Sequence, residues 1–415
     1  LIFKMTINNL KIYGNPYHSL DYYFLNKEEI FIILFENDTN LETISSLDFI
    51  DGVFSLFYEN EDYLIIVSDP YGLYPLFYNK KELKVIDSFS DCEYDYKINN
   101  EYVNSCKKNL DKSYHSALSA NNLQDDLRKI INKKCFDSPF KEWKIVQPGC
   151  VVKINKKTKI EKSYYYNVID INEKYLKKPE ELIEDCILFL SKNKKVLVPL
   201  SSGYDSRTIF SILYKNRNVS RYTYGKEKEF VDSNFINIPN CIEKHFIDFE
   251  NYDKYVLKYC LEMNGMGDIY YKIHNFFIQD NYLNYDIMFT GDGNNEFVGN
   301  HKNTLHLYYS ARYATGDGHH YKTQAKKIKA VPPYCQKRLL SAIKGKNSDM
   351  LRREICINLI NKYNSQFLDI PFYSGDEFTK NMNSNFGHEF SYNTKEKYLN
   401  TFFEVFFNDS IYNRM

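Results

Sequence analysis

Val196-Leu197-Val198-Pro199-Leu200-Ser201-Ser202-Gly203-Tyr204-Asp205-Ser206-Arg207-Thr208-Ile209-Phe210-Ser211-Ile212-Leu213 is the stretch on which the fold turns. The apolar run Val196 to Leu200 predicts a buried parallel strand. Ser201 to Ser206 predicts a tight polar loop, and the recurrence of Ile209, Phe210, Ile212 and Leu213 predicts a helix. Strand, small-residue loop and helix, in that order, aim backbone N–H groups and the positive end of a helix dipole at one point. Such a point favours an anion, phosphate above all. The loop lacks the Gly-Lys-Ser/Thr ending of a Walker A sequence. Alone, a Ser-Ser-Gly loop with an aspartate is ordinary turn chemistry, because Ser and Asp bond their own backbone.

A second segment moves the reading toward phosphate. Ile287-Met288-Phe289-Thr290 is another short apolar strand, and it runs into Gly291-Asp292-Gly293-Asn294-Asn295-Glu296. Working outward, residues 1 to 165 read as β-rich. Strands are expected at Ile30 to Phe35, Val53 to Tyr58 and Tyr63 to Val67, separated by Asn, Asp and Gly turns. Asn109 to Cys135 carries a weak helical pattern. Pro179-Glu180-Glu181 reads as a helix start with the apolar stripe Leu182, Ile183, Cys186, Ile187 and Leu190. From there to about residue 300 strands and helices alternate, with further strands expected at Arg221 to Gly225 and His245 to Phe249. That alternation implies a parallel sheet covered on both faces. After Asn300 the pattern is mostly helical, with a break at Val331-Pro332-Pro333.

The first loop resembles the S-G-G-x-D-S pyrophosphate loop of the ATP pyrophosphatases. With the second loop, similar to G-E/D-G-x-D-E, the pair resembles the asparagine synthetase-like family. Asp69-Pro70-Tyr71-Gly72-Leu73-Tyr74-Pro75-Leu76-Phe77-Tyr78 is similar to that family's D-P-F-G-x-x-P-L-Y-Y segment. Gln147-Pro148-Gly149 before Val151 to Ile154 is similar to its closing P-G strand, and Ile370-Pro371-Phe372-Tyr373 to its R-x-P-F-x-D segment. The resemblance spans about three quarters of the chain. It implies an α/β protein of two domains. Residues 1–165 would be a layered, β-rich, class II glutamine amidotransferase-like (Ntn-type) domain in degenerate form. Residues 176–415 would be a parallel-sheet, adenine-nucleotide α-hydrolase-like ATP pyrophosphatase domain with a helical end.

For the site, the resemblance implies that Leu200, Ser201, Ser202, Gly203, Asp205, Ser206, Tyr224, Gly225, Gly291 and Gly293 surround ATP and its pyrophosphate. Asp205 and Asn295 would hold a magnesium ion, and Asp292 and Glu296 would serve the chemistry. Gly291 and Gly293 would let the adenylate approach closely. The implied reaction adenylates a substrate carboxylate, releases pyrophosphate and passes the acyl group to an amine, with positioning and electrostatics supplying most of the rate. Departures are visible. Ser202 replaces a loop glycine, and Asn295 replaces an acidic metal ligand. The chain as given begins Leu1-Ile2-Phe3-Lys4-Met5 and its first cysteine is Cys92, where the family uses an N-terminal cysteine nucleophile. The expectation is therefore amide formation without glutaminase activity. The alternative is a catalytically degenerate scaffold, or a nucleotide-binding partner in a biosynthetic complex.

Bulk properties narrow the partners. The 415 residues carry 54 basic and 54 acidic side chains, so neither nucleic acid nor an acidic membrane is the expected partner. No apolar stretch reaches the ~20 residues of a membrane span, and no signal-peptide pattern is seen. The nine cysteines have irregular spacing and no C-x-x-C pair, which suggests free thiols in a cytoplasmic setting. His301, His306, His319 and His320 lack the spacing of a metal site. The expected ligands are ATP, magnesium, a small-molecule or peptide carboxylate and an amine donor. The acyl acceptor and the oligomeric state are not legible in the sequence.

Overall fold

A computed structural model describes residues 7–36, 47, 49–89, 99, 138, 140–166, 171–215, 218–223, 241–245, 283–299 and 318–372. It is a mixed α/β structure whose antiparallel sheets precede a parallel one. The first part holds β1 (Leu10–His18), β2 (Tyr23–Phe24), α1 (Lys27–Phe31), β3 (Ile50–Glu59), β4 (Tyr63–Ser68), β5 (Phe77–Asn79), β6 (Lys84–Ile86), β7 (Trp143–Ile145), β8 (Cys150–Asn155) and β9 (Glu161–Tyr165). Six of the strands form one antiparallel sheet in the order β2-β1-β3-β4-β8-β9, and the other three form a second in the order β6-β5-β7. Alternation alone would not reveal β3. It is buried along nearly its whole length, as a strand covered on both faces must be.

The expected strand at Ile30 to Phe35 is instead α1 followed by a π-turn, Ile32–Glu36. Asn26 Oδ1 accepts from Glu29 N at 2.9 Å, and Glu29 Oε2 accepts from Asn26 N at 2.8 Å. This reciprocal cap nucleates a helix just ahead of the apolar run and overrides its β-propensity. Asn109 to Cys135, where a helical pattern was expected, lies outside the described residues.

The second part holds α2 (Pro179–Leu190), β10 (Lys195–Pro199), α3 (Tyr204–Leu213), β11 (Asn218–Tyr222), β12 (Cys241–His245), β13 (Ile287–Phe289), α4 (Gly318–Ala325), β14 (Lys329–Val331), α5 (Lys337–Ala342) and α6 (Asp349–Asn364). Its strands are all parallel, in the order β12-β11-β10-β13-β14. The stripe of α2 is its buried face, and Pro179 opens the helix with Glu180 and Glu181 in the first turn. β12 reaches His245, where the expected strand His245 to Phe249 begins. Residues 246–249 lie outside the described set, as do Tyr224 and Gly225. Among the described residues beyond 300, which are 318–372, the regular elements are helical except for β14, which the Pro332-Pro333 pair ends.

Side chains from both parts share one core. Polar groups stitch the seam. Asn15 Nδ2 donates to Ala325 O at 3.2 Å and to Ile328 O at 3.3 Å. The buried Asp51 accepts from Lys337 N at 3.2 Å. Arg338 donates to Ser19 O at 2.6 Å and to Tyr175 O at 2.7 Å. Among the described residues no helix is long and apolar enough to cross a membrane.

Candidate functional site

β10 and β13 are neighbours, paired at Val196 with Ile287 and Leu197 with Met288. Both point the same way, so the loops that follow them emerge side by side at the carboxyl edge of the sheet, where open α/β sheets bind ligands. Leu200 is buried, and its N–H donates to Tyr222 O at 2.9 Å. Ser201 N donates to Ser206 Oγ at 3.0 Å, and the two hydroxyl oxygens lie 2.9 Å apart. Gly203 N donates to Ser201 Oγ at 3.2 Å. Hydroxyls therefore close the loop onto the start of α3.

Gly203 caps that helix in an extended conformation, φ −78° and ψ 174°, with no side-chain cap bond. The first turn thus presents backbone N–H groups and a positive dipole end without a side chain across it. Ser202 is buried and is not among the described residues with positive φ. The loop therefore does not need a glycine there, and serine costs no backbone strain.

The second loop lies against the first. A Cβ placed on Gly291 would stand 3.0 Å from Ser206 N and 3.1 Å from Asp205 Cβ. Gly293 has φ +87°, and a Cβ there would overlap Cys335 Sγ. The clearances left by both glycines face protein, so they serve close packing of the loops and not the expected approach of an adenylate. Ser201, Gly203, Tyr204, Asp205, Gly291 and Asp292 are all half-buried, which leaves a rim open to solvent along both loops.

Asp205 is the centre of the arrangement. Its Oδ1 accepts from Arg352 Nη1 at 2.8 Å and from Asn294 Nδ2 at 2.7 Å. Tyr334 Oη holds its backbone carbonyl at 2.9 Å. Burial raises its carboxyl above the ordinary range; Arg352 and Asn294 oppose the rise and the nearby Asp292 adds to it. Asp292 and Glu296 belong to the same electrostatic neighbourhood. After burial, they are the next causes that raise the Cys335 thiol. Burial likewise pushes the Cys356 thiol up to about 12. Cys356 accepts from Asn294 Nδ2 at 3.3 Å, so it is a packing group and no nucleophile.

Asn295, expected beside Asp205, is exposed. Asn294 takes that place because residues Asn294–Val298 form a π-turn, closed by Gly299 N on Asn294 O at 2.9 Å. The wider turn changes which side chain faces the sheet edge.

Three side chains at this site carried no motif. Arg352 comes from α6, tethered by its Nε and Nη2 to Asp349 Oδ1 at 2.9 and 2.7 Å. Tyr334 follows β14. Arg207, fully buried on α3, donates to Ser202 O at 2.8 Å, Phe367 O at 3.1 Å, Ile370 O at 2.6 Å and Pro371 O at 2.8 Å. It ties the first loop to the Ile370-Pro371-Phe372 segment. Phe372 stacks on Tyr204 at 3.9 Å with 7° between planes, and the Arg207 guanidinium lies 3.8 Å from the Phe372 centroid. A lone arginine inside the apolar run of α3 was the one signal for this clamp.

The amino-terminal landmarks converge here too. Asp69 accepts from Tyr71 N at 2.8 Å and Tyr74 N at 2.9 Å, and its backbone carbonyl accepts from Gly149 N at 2.9 Å. Tyr71 packs on Phe297 of the π-turn with ring centroids 5.0 Å apart.

Ser201 N and Gly203 N already donate to loop hydroxyls, so a phosphate would meet the first-turn amides of α3, which no side chain caps. Magnesium fits poorly. It requires octahedral oxygen ligands, usually one or two carboxylates with phosphates. Asp205 Oδ1 already holds a guanidinium and an amide, and Asn295 is exposed. No family model matches the chain, and no curated protein matches it.

Proposed function

We propose that the chain is an ATP-dependent, amide-forming ligase of the asparagine synthetase-like kind. A substrate carboxylate would attack the α-phosphorus of ATP, pyrophosphate would leave, and an amine would then displace AMP to give an amide. The first-turn amides of α3, with the hydroxyls of Ser201 and Ser206, would hold the phosphates. Asp292 would orient the amine or take its proton. The amidotransferase-like reading of the first part and the α-hydrolase-like reading of the sheet belong to the same proposal. Its main support is the abutment of the two loops, with Gly291 against Ser206 at the carboxyl edge of a parallel sheet.

ATP–pyrophosphate exchange with amino acids, peptides and sugar acids tests it. Exchange is expected with one class of acid, and Asp205→Asn is expected to lower it about 100-fold or more, in line with the loss of a positioning charge. Exchange with no acid would favour the second reading, a nucleotide-binding scaffold. One observation speaks for that reading: Arg352 already occupies the carboxylate of Asp205.

A further inference from the structure

We infer that the cation serving the phosphate loop is the guanidinium of Arg352, so that a nucleoside triphosphate binds this chain without a divalent metal ion. The inference rests on the nucleotide reading of the loop and goes beyond it in assigning the charge that makes the loop work. A carboxylate beside a phosphate site repels its ligand unless a positive charge lies between them. In metal-dependent sites an ion fills that role. Here the positive charge on Asp205 is Arg352, at 2.8 Å.

The guanidinium is built in. Its side chain is 9% exposed. Asp349 Oδ1 takes Nε and Nη2, which turns Nη1 toward Asp205. Asp349 Oδ2 holds Arg353 Nε at 2.8 Å, so a second arginine stands beside the first. Both guanidinium carbons lie within 6 Å of the Tyr204 ring, 5.9 and 5.8 Å away, at the start of α3. Three acidic side chains, Asp205, Asp292 and Asp349, thus share the locality with two arginines.

A planar guanidinium matches phosphate oxygens as it matches a carboxylate. It could pass from Asp205 to a phosphate with little movement of its tether. The amide of Asn294 donates to the same Asp205 oxygen at 2.7 Å. Independent signs of a polar ligand lie alongside. Thr290 Oγ1 and Asn294 Oδ1 are buried and have no hydrogen-bond partner among the described residues, a costly state that a bound ligand would relieve.

Calorimetric titration of ATP into the full chain, in excess EDTA and in excess magnesium, tests this. Wild-type affinity is expected to agree within about threefold between the two media. Arg352→Gln is expected to bind at least about tenfold more weakly in EDTA, and Arg352→Lys, which keeps the charge, to recover part of the loss. Circular dichroism of both variants reports whether they fold. Wild-type binding about tenfold or more weaker in EDTA would overturn the inference and leave the nucleotide reading standing. Unchanged binding by folded Arg352→Gln would do the same. Absence of ATP binding in both media would overturn the nucleotide reading and the inference with it.

Discussion

Gly291 lies so close to Ser206 that a Cβ on residue 291 would stand 3.0 Å from the Ser206 amide nitrogen. The second loop therefore forms one wall against the helix start that the first loop leads into. Alanine at 291 must push the loops apart by a few tenths of an ångström. Gly291→Ala is expected to leave the unfolding midpoint nearly unchanged and to weaken ATP binding about tenfold, roughly 1.4 kcal/mol. Calorimetry on the variant checks this; unchanged affinity would mean that the abutment does not shape the site.

Gly293 carries a different constraint. Its φ of +87° disfavours any Cβ, and Cys335 Sγ occupies the place a Cβ would take. The conformational part costs about 1–2 kcal/mol and the overlap about 1–3 kcal/mol. Gly293→Ala is expected to lower unfolding free energy in urea by about 2–4 kcal/mol, and the Cys335→Ala background to return the overlap part. Additive losses in the double variant would contradict the contact.

Arg207 joins the carbonyls of Ser202, Phe367, Ile370 and Pro371. Lysine cannot span four acceptors arranged around a planar fork. Arg207→Lys is expected to cost about 2–4 kcal/mol in urea unfolding, because buried acceptors lose charge-assisted donors. A loss below about 0.5 kcal/mol, the scale of a surface change, would show that the clamp contributes nothing.

Asp69 is fully buried and pushed up to about 7 by that burial, against the pull of the backbone amides around it. Its folded value lies above the unfolded value of about 3.9. The folded state thus binds the proton more tightly, and this contribution to stability is complete below about pH 4 and lost as pH rises through about 7. Asp51 and Asp205 are raised in the same direction. Asp87 and Asp349 are lowered, so their contributions change below the usual carboxylate range and leave this window alone. Unfolding free energy in urea is expected to fall by about 2 kcal/mol between pH 5 and pH 7, with a flatter profile in Asp69→Asn. A profile that rises across that interval would contradict the assignment.

The strand, loop and helix at 196–213 were legible because a strand covered on both faces must be continuously apolar. The stripe of α2 was legible because one helix face had to be buried. The run Ile30 to Phe35 misled because its apolar content outweighed the Asn26–Glu29 cap that decides it. β14 was missed because three residues ahead of a proline pair carry too little pattern. The site was half legible. Loop residues are local, and their sequence shows them. Arg352 meets Asp205 across 147 positions, and no spacing rule reaches that far. The exchange of Asn294 for Asn295 follows from a π-turn, whose period no helical or strand template contains.

Hydrogen exchange with mass spectrometry, with and without ATP, tests the central claim most directly, since both loops are claimed as walls of one nucleotide site. Protection on adding ATP is expected together in peptides covering 201–206 and 291–296, with peptides of β3 and β4 unchanged. Protection confined to one loop, or falling elsewhere while both loops exchange as before, would contradict it.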